Sequence, residues 1–250
     1  MDRVALITGA SSAIGAEAAL AFARTGHAVV LASRRIDVLD RLAAEIEAAG
    51  APALAIEADV TRAADVDRVL SEAAARFGGL DVAFNNAGSG ARPTPLAQLS
   101  EKTFEDALRV NLFGTFLCMA AEIRALLARR GGAIVNMSST AGLQGVAGLS
   151  PYCAGKHAVI GMSKAAALDY ADKNIRINVV APGPIATERI DEEQRKRIGE
   201  YVPLKRVGEP REVAELVRWL CSSAATFVTG AVIPIDGGRL AGTPTFAVRP

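Results

Sequence analysis

Short apolar runs that alternate with longer helix-like stretches constrain the fold of this 250-residue chain more than any other feature. Most of the runs are apolar at every position rather than at alternate ones, which is typical of parallel strands covered by helices on both faces. Strands are predicted at residues 4–7, 28–32, 53–56, 82–84, 133–135, 175–180 and 231–235. The pattern therefore predicts an α/β fold with a doubly wound, Rossmann-type parallel sheet.

The stretches between these runs have helical periodicity. Helices are predicted near residues 13–25, 36–49, 63–77, 100–128, 151–173 and 211–223. No internal repeat, low-complexity segment or linker interrupts the alternation, so residues 1–250 are predicted to form a single domain. Residues 242–250 contain two prolines and little periodicity, and an irregular tail is expected there.

Charge and cysteine content exclude several functional classes. The 28 basic and 27 acidic residues give a net charge of +1, and the basic residues are scattered, so no nucleic-acid partner is expected. The three cysteines form no CxxC pair and the two histidines lie far apart, which favours a reducing compartment and no metal site. No signal-peptide pattern and no uninterrupted apolar run of about 18 residues is found, so a cytoplasmic protein without a membrane partner is expected.

A glycine-rich turn, Thr8-Gly9-Ala10-Ser11-Ser12-Ala13-Ile14-Gly15, joins the first strand to the first helix. Such a turn directs backbone N–H groups and the positive end of the helix toward a pyrophosphate. A turn of small residues after a strand can be no more than a turn, but its place in the first strand–helix unit favours dinucleotide binding. The predicted contacts are Gly9, Ser11, Ser12, Ile14 and Gly15.

The end of the second strand indicates which dinucleotide binds. An acidic residue there would suit the ribose 2′-hydroxyl of NAD, whereas an arginine suits the 2′-phosphate of NADP. The strand ends in Ser33-Arg34-Arg35, and Asp37 comes too late, inside the next helix. Ser33 and Arg34 therefore predict NADP, with Arg34 binding the phosphate. The alternatives are that both arginines are solvated loop charges and that the cofactor is NAD.

Tyr152 and Lys156 lie four residues apart at the start of a predicted helix, on one face. A nearby ammonium is expected to lower the pKa of the phenol and so to fit it for proton transfer. The pair alone is common on helix surfaces. Ser139, thirteen residues earlier at the end of a predicted strand, changes that reading, because the carboxyl ends of parallel strands line the ligand crevice.

These motifs, taken together, resemble the short-chain dehydrogenase/reductase family over nearly the whole chain. The series follows the family order: Thr8-Gly9-x-x-x-Ala13-x-Gly15, Asp59-Val60, Asn85-Asn86-Ala87-Gly88, Asn111, Ser139, Tyr152-x-x-x-Lys156, Asn178, Pro182-Gly183 and Asp236-Gly237-Gly238. The resemblance implies that residues 1–250 are a dinucleotide-binding catalytic domain. One departure is that Ala13 replaces the family's middle glycine, which leaves the geometry of the turn and the cofactor affinity open.

The resemblance also implies a role for individual residues. Tyr152 would be the general acid in reduction and the base in oxidation, Lys156 would lower its pKa and bind the nicotinamide ribose, and Ser139 would hydrogen-bond the substrate oxygen. Asn111 would hold a water that connects Lys156 to solvent. Ser138 is a rival to Ser139. Further cofactor contacts are implied at Asp59, Val60, Asn86, Ala87, Gly88, Tyr152, Lys156, Pro182, Gly183, Ile185 and Thr187.

The expected function is therefore hydride transfer between NADP(H) and a secondary alcohol or ketone. Alternatives are an NAD-dependent dehydrogenase of the same family, a catalytically idle cofactor-binding sensor or scaffold, and a sugar-nucleotide epimerase or dehydratase. Residues 187–203 are a candidate substrate lid, because that segment is highly charged and has few apolar positions. Residues 112–127 and 156–171 are apolar nearly all round, which favours a homo-oligomer, expected to be a tetramer, over burial in one large core.

Overall fold

One parallel sheet of seven strands organises the protein. The computed structural model describes residues 3–188 and 190–242. The strands are β1 Val4–Thr8, β2 Ala28–Ser33, β3 Ala53–Glu57, β4 Val82–Asn85, β5 Gly132–Met137, β6 Ile175–Pro182 and β7 Val232–Ile235. Their order in the sheet is β3-β2-β1-β4-β5-β6-β7, and every neighbouring pair is parallel. The predicted fold class and all seven predicted strands are confirmed.

Eight α-helices accompany the strands within the described ranges. They are α1 Ala13–Ala23, α2 Ile36–Ala48, α3 Ala63–Phe77, α4 Glu101–Leu108, α5 Gly114–Ala128, α6 Ser150–Tyr170, α7 Glu192–Glu200 and α8 Pro210–Leu220. The six predicted helices are present, although the long one predicted at 100–128 is divided. Most of the predicted tail, residues 243–250, lies outside the described residues.

Apolar side chains cover both faces of the sheet. On one face, Ala18 of α1, Leu39 of α2 and Val213 of α8 pack in a single core cluster with the strands. On the other face, Val69 of α3 and Ile123 of α5 pack with Ala166 and Ala167 of α6. The sheet is therefore buried on both faces, which explains why its strands lack alternation of apolar and polar residues.

The predicted helix at 100–128 is interrupted by a π-helical turn, Arg109–Phe113, between α4 and α5. Asn111 lies in this turn, is 1% exposed, and donates from Nδ2 to the Ala107 carbonyl at 3.0 Å. π-turns inside helices are rare and are often found at functional sites. An 18-residue stretch within Glu101–Ala128 has a mean hydropathy of 1.5, sufficient in length and composition to cross a membrane, but half of that stretch is buried in the protein.

A polar network crosses the core on the sheet face that α3, α5 and α6 cover. Asn85 Nδ2 of β4 donates to Glu122 Oε2 of α5 at 2.8 Å and to Asn136 Oδ1 of β5 at 2.9 Å. Asn136 Nδ2 donates to Ser163 Oγ of α6 at 2.8 Å. Burial raises the pKa of Glu122 to about 8, although the bond from Asn85 opposes that shift. The network thus joins two strands and two helices through a carboxyl group whose pKa is raised by burial.

The segment 187–203, predicted as a lid, contains α7 and leaves the sheet after β6. Asp191 caps α7 by accepting from Gln194 N at 2.8 Å. A parallel bridge between Ile185 and Gly208 closes the base of the excursion, with Ala186 N donating to the Gly208 carbonyl at 2.8 Å. Arg206 pairs with Glu212 of α8 at 2.7 Å on the returning side. Whether the segment moves as a lid stays a prediction.

Candidate active site

A cavity of about 620 Å³ lies at the carboxyl ends of the strands, where the order of the sheet reverses between β1 and β4. This is the place where open α/β sheets bind their ligands. Twelve of the predicted cofactor residues line it: Gly9, Ser11, Ser12, Ile14, Ser33, Arg34, Asp59, Val60, Asn86, Ala87, Gly88 and Thr187. The turns after β1 to β4 therefore converge on one cavity, together with the start of the excursion after β6.

The glycine-rich turn is held by packing and by Asn86. Gly9 has φ +63°, and a Cβ there would lie 2.8 Å from Ala87 Cα, so only glycine fits. Asn86 Nδ2 contacts the Thr8 and Gly9 carbonyls at 3.2 and 3.0 Å and Ser12 Oγ at 3.1 Å. Ser12 Oγ also accepts from Gly15 N at 3.3 Å and caps α1. The turn is thus shaped by the protein itself.

Ala13 and Gly15 occupy different environments in this turn. Ala13 is the first residue of α1 and is not among the residues with positive φ, so its methyl group causes no backbone strain. A Cβ at Gly15, by contrast, would overlap the Gly9 carbonyl and lie 2.8 Å from Ala10 Cα. Gly15 therefore does not line the cavity but permits α1 to pack on the turn. The departure at Ala13 is compatible with the turn.

Two arginines follow β2, and they have different contacts. Arg34 lines the cavity. Arg35 lies against the glycine-rich turn, where its Nε donates to Ser11 Oγ at 3.2 Å and a terminal nitrogen donates to the Ser11 carbonyl. Its own N–H donates to Ser33 Oγ at 3.1 Å. Arg35 was not predicted as a cofactor residue, although it also lines the cavity.

Asp59 and Val60 follow β3, and the contacts of Asp59 fix its carboxylate. Asp59 Oδ1 accepts from Thr61 N at 2.9 Å and from Thr61 Oγ1 at 2.8 Å, and Asp65 Oδ2 accepts from Asp59 N at 3.0 Å. Burial acts to raise the pKa of Asp59, but the Thr61 bonds and the charges of Arg34 and Arg62 bring it below its ordinary value. Asp59 is therefore an ionised, oriented acceptor beside the cavity.

The four predicted catalytic residues lie beyond the wall of this cavity. A Cβ on Gly88, which lines the cavity, would be 3.0 Å from Asn111 Oδ1 and 3.5 Å from Lys156 Nζ. Lys156 Nζ in turn lies 5.7 Å from the centre of the Tyr152 ring. Gly88 has no side chain, so at this point only its backbone lies between the cavity and the predicted catalytic residues.

The two consecutive serines after β5 face different partners. Ser139 faces the Tyr152 hydroxyl and acts to lower its pKa, and its Oγ accepts from Ala141 N at 3.1 Å. Ser138 is 2% exposed and donates from Oγ to the Lys156 carbonyl at 3.0 Å. Of the two hydroxyls, only that of Ser139 is directed at the phenol.

Taken together, the protein's own groups raise the pKa of Tyr152, contrary to the expectation from the sequence. Burial raises that pKa, and the opposing effect of Ser139 is smaller. The Lys156 ammonium is directed to the Met137 carbonyl, at 3.0 Å, and burial lowers the pKa of Lys156 to about 8. The four-residue spacing of Tyr152 and Lys156 therefore predicted that the two side chains lie close together, but it predicted the wrong direction for the pKa shift of Tyr152.

Asn111 holds the loop after β4 through its side chain. Its Nδ2 donates to the Ser89 carbonyl at 3.0 Å, and its Oδ1 accepts from Ser89 N at 3.2 Å. The Asn111 carbonyl accepts from Thr115 Oγ1 at 3.2 Å. The side chain therefore places Ser89 and Gly88 next to Lys156, a role that the sequence did not predict.

The cofactor residues predicted at the end of β6 do not all line the same cavity. Thr187 lines the large cavity, whereas Ile185 lines a second cavity of about 100 Å³ near Val202 and Asp236. A Cβ on Gly183 would lie 2.9 Å from Asp236 Cα, so Gly183 packs on the turn after β7. Pro182, Gly183 and Ile185 do not line the large cavity.

Several residues that line the large cavity were not predicted. They are Ala13, Arg35, Ala58, Thr61, Asp106, Arg109, Val110 and Glu188. Asp106 belongs to α4, and Arg109 and Val110 to the π-turn, which no local sequence pattern places at the ends of β1 to β3. Thr61 and Arg35 each adjoin a predicted residue and could have been included on that ground. In the described part of the chain, no three His, Cys, Asp or Glu side chains group as metal ligands.

Sequence comparison finds relatives along nearly the whole chain. A family model described as enoyl-(acyl carrier protein) reductase matches residues 9–239. The A-factor type gamma-butyrolactone 1′-reductase (1S-forming) of Streptomyces virginiae is 43% identical over 95% of each chain. Cyclohexanol dehydrogenase of an Acinetobacter species is 42% identical over 94% of each, and a 3-oxoacyl-[acyl-carrier-protein] reductase of a Synechocystis species is 38% identical over 95% of this chain and 97% of the relative.

Structural comparison gives the same result. A short-chain type dehydrogenase/reductase from Mycobacterium marinum superposes with a TM-score of 0.91 at 36% identity over 96% of both chains. A substituted actinorhodin polyketide ketoreductase, solved with NADPH, also has a TM-score of 0.91, at 33% identity, covering 95% of this chain and 97% of that one. These proteins share both the sheet and nearly the whole length of the chain described above.

Proposed function

Because the chain belongs to the short-chain dehydrogenase/reductase family and is an oxidoreductase of that kind, we propose that it transfers hydride between NADP(H) and a secondary alcohol or ketone. In this proposal Tyr152 exchanges the proton with the substrate oxygen. The observation that carries the proposal is the position of Lys156 Nζ, next to Gly88 at the cavity wall and 5.7 Å from the Tyr152 ring. A buried ammonium and a phenol thus meet at the edge of a dinucleotide-sized cavity.

The residues present suit a nicotinamide dinucleotide. The cavity volume of about 620 Å³, and the position of the glycine-rich turn and the first residues of α1 on its wall, fit a pyrophosphate held by backbone N–H groups. The cofactor, when bound, supplies the hydride or accepts it, and its oxidised ring carries a positive charge. That charge would favour the phenolate of Tyr152, which the protein's own groups do not.

The remaining chemistry is assigned to this chain's side chains. Tyr152 donates its hydroxyl proton to the carbonyl oxygen in reduction, and accepts a proton from the alcohol in oxidation. Ser139, directed at the same phenol, donates a hydrogen bond to the substrate oxygen and stabilises negative charge there. Lys156 would bind ribose hydroxyls of the cofactor through its buried ammonium, and Asn111 keeps the loop at Gly88 in place.

NADP is favoured over NAD by the charges at the end of β2. Arg34 and Arg35 both line the cavity, and no carboxylate lies at the end of that strand. Arg35 is already bonded to the turn through Ser11, so Arg34 is the residue proposed to pair with the 2′-phosphate. The named relative solved with NADPH supports this cofactor.

Absorbance of the nicotinamide tests the acid–base assignment. The protein is assayed with NADPH and NADH against β-ketoacyl thioesters, cyclic ketones and keto-lactones, and against the corresponding alcohols with the oxidised cofactors. Tyr152→Phe should lower kcat by about 10²- to 10⁴-fold, the usual contribution of general acid–base catalysis. Tyr170→Phe, on the same helix, is the matched control and should retain activity. Equal turnover by wild type and Tyr152→Phe would refute the assignment, and no turnover by wild type would favour a cofactor-binding sensor.

A charge reversal tests the cofactor preference. Arg34→Asp should lower the NADPH/NADH ratio of kcat/KM by at least about tenfold, because a hydrogen bond to a charged group contributes roughly 1.5–3 kcal/mol. Arg41→Asp, an exposed arginine of α2 that pairs with Asp37, is the control for a change in net charge. An unchanged ratio in Arg34→Asp would contradict the assignment and leave Arg35 as the candidate.

We also propose that the protein is a homo-oligomer, expected to be a tetramer. Phe113, the last residue of the π-turn, is 45% exposed, Phe116 of α5 is 44% exposed, and Leu168 of α6 is 83% exposed. Large apolar side chains at this exposure are suited to contact between copies of the chain. Light scattering with size-exclusion chromatography would measure the mass, and a monomer at micromolar concentration would refute the proposal.

A further inference from the structure

Lys156 is hydrogen-bonded, through its side chain and through its backbone, to two consecutive residues: Met137, the last residue of β5, and Ser138, which follows it. Its Nζ donates to the Met137 carbonyl at 3.0 Å, and its own carbonyl accepts from Ser138 Oγ at 3.0 Å. Ser138 and Lys156 are each 2% exposed. The two bonds run in opposite directions between the same short segment and the same lysine, so they oppose both rotation and sliding of α6 at this point.

Gly142 closes the space over these two bonds. A Cβ at Gly142 would overlap Ser138 Oγ and lie 2.8 Å from the Lys156 carbonyl oxygen. Gly142 is not among the residues with positive φ, so its lack of a side chain is needed for space and not for backbone conformation. The loop after Ser139 therefore packs directly on the bond between Ser138 and α6.

From this geometry we propose that Ser138 is a positioning residue: its bond to the Lys156 carbonyl fixes α6 against the end of β5 and thereby holds the Lys156 ammonium in its buried place beside Tyr152. Ser138 does not touch substrate in this proposal. The inference deepens the proposed function and rests on it for its catalytic consequence, whereas the attachment of Lys156 can be measured without turnover.

Burial gives the attachment a measurable consequence. Burial lowers the pKa of Lys156 from its ordinary 10.5 to about 8, because an ammonium in a dry site is poorly solvated. Loss of the Ser138 bond would let α6 move away from β5 and admit water, and the pKa of Lys156 would return toward 10.5. The same movement would displace Tyr152, and misplacement of about 1 Å can cost roughly 10²-fold in rate.

The test compares Ser138→Ala with Ser163→Ala in the full-length protein. Ser163 is also buried on α6 and also bonds a helix carbonyl, that of Val159, but it lies seven residues from Lys156. The first readout is the pH dependence of acetylation of Lys156 by trace acetic anhydride, followed by mass spectrometry without cofactor. The second is the pH profile of kcat. Ser138→Ala should raise the pKa of Lys156 by at least one unit and lower kcat by about 10²-fold, while Ser163→Ala should change neither.

Ser138→Cys serves as a second variant if the alanine variant does not fold. Cysteine fills the space but is a weak donor, so an intermediate increase in the pKa of Lys156 is expected. An unchanged pKa of Lys156 and an unchanged kcat profile in a folded Ser138 variant would overturn the proposal and leave Ser138 with a purely structural role. Absence of turnover in wild type would refute the proposed function instead, and the acetylation readout would still decide the inference.

Discussion

Lys156 and Glu122 are both fully buried ionisable residues on neighbouring helices of the same sheet face, and burial moves the pKa of each to about 8. Their surroundings differ. Lys156 lies at the carboxyl end of β5, next to the cavity wall at Gly88, whereas Glu122 lies inside the core and contacts Asn85. The comparison teaches that a perturbed pKa measures burial, and that position at the ligand crevice is what makes Lys156, and not Glu122, the proposed functional group.

The hydrogen bonds of the two residues support this distinction. Glu122 belongs to a network of amides and a hydroxyl that spans β4, β5 and α6. Its Oε1 and Asn85 Oδ1 have no partner among the described residues, which is consistent with a proton held on the carboxyl group. Among the described residues, the Lys156 ammonium donates to one acceptor, the Met137 carbonyl, and its remaining donor capacity is available to a ligand.

The largest expected difference between the two is in catalysis. Lys156→Met removes the ammonium and should lower kcat by about 10²- to 10⁴-fold, with the fold retained because a buried charge is replaced by an apolar chain of similar length. Lys164→Met, an exposed lysine on the same helix, is the control. Glu122→Gln should keep kcat near the wild-type value. Loss of activity in Glu122→Gln as large as that in Lys156→Met would erase the distinction.

A second difference is expected in stability between pH 4.5 and pH 8. The pKa of Glu122 is raised from 4.5 to about 8 on folding, so the folded state binds this proton more tightly than the unfolded chain. Its contribution to stability is complete below pH 4.5 and is lost as the pH rises to 8, with a slope of at most about 1.4 kcal/mol per pH unit. Glu122→Gln should reduce this decrease of the unfolding free energy with pH, measured by urea unfolding. Glu105→Gln, which changes an exposed glutamate, should leave the decrease as it is.

A third and smaller difference is expected above pH 8. The pKa of Lys156 is lowered from 10.5 to about 8, so the unfolded chain binds this proton more tightly. Stability from this group is therefore absent below pH 8 and increases toward pH 10.5, with the same limiting slope. Together the two residues predict a minimum of stability near pH 8. Lys156→Met should remove only the increase of the unfolding free energy between pH 8 and 10.5. If that increase persists in the variant, other groups cause it.

The sheet and the cavity could be predicted from the sequence because both depend on local patterns. Parallel strands buried on both faces leave continuous apolar runs, and the residues that end those strands reach the same edge. Arg34 was predicted as a cofactor residue, but the contact of Arg35 with Ser11 was not, since backbone torsions after β2 decide which arginine bonds the turn. The Ser138 hydroxyl was likewise ambiguous, because its partner at Lys156 is 18 residues away.

Burial of single charged residues was the least predictable feature. A glutamate is ordinarily expected to be exposed, yet Glu122 is buried against Asn85, 37 residues earlier in the chain. The division of the predicted helix at Asn111 was missed for the same reason, because its bonds to Ser89 come from a distant loop. The sign of the Tyr152 pKa shift depended on where Lys156 Nζ is directed, and residue spacing does not determine that.

The bridge between Ile185 and Gly208 has a consequence for how readily the segment between them could be replaced. Since the excursion leaves and rejoins the body at one point, its interior can be exchanged for a segment of another length without disturbing the strand registers. Loop-closure entropy makes such grafts inexpensive, with each doubling of length costing about 0.6 kcal/mol. Transplanted segments that keep residues 184–186 and 207–209 should therefore fold on this scaffold, and a change of substrate preference in such grafts would support the predicted lid.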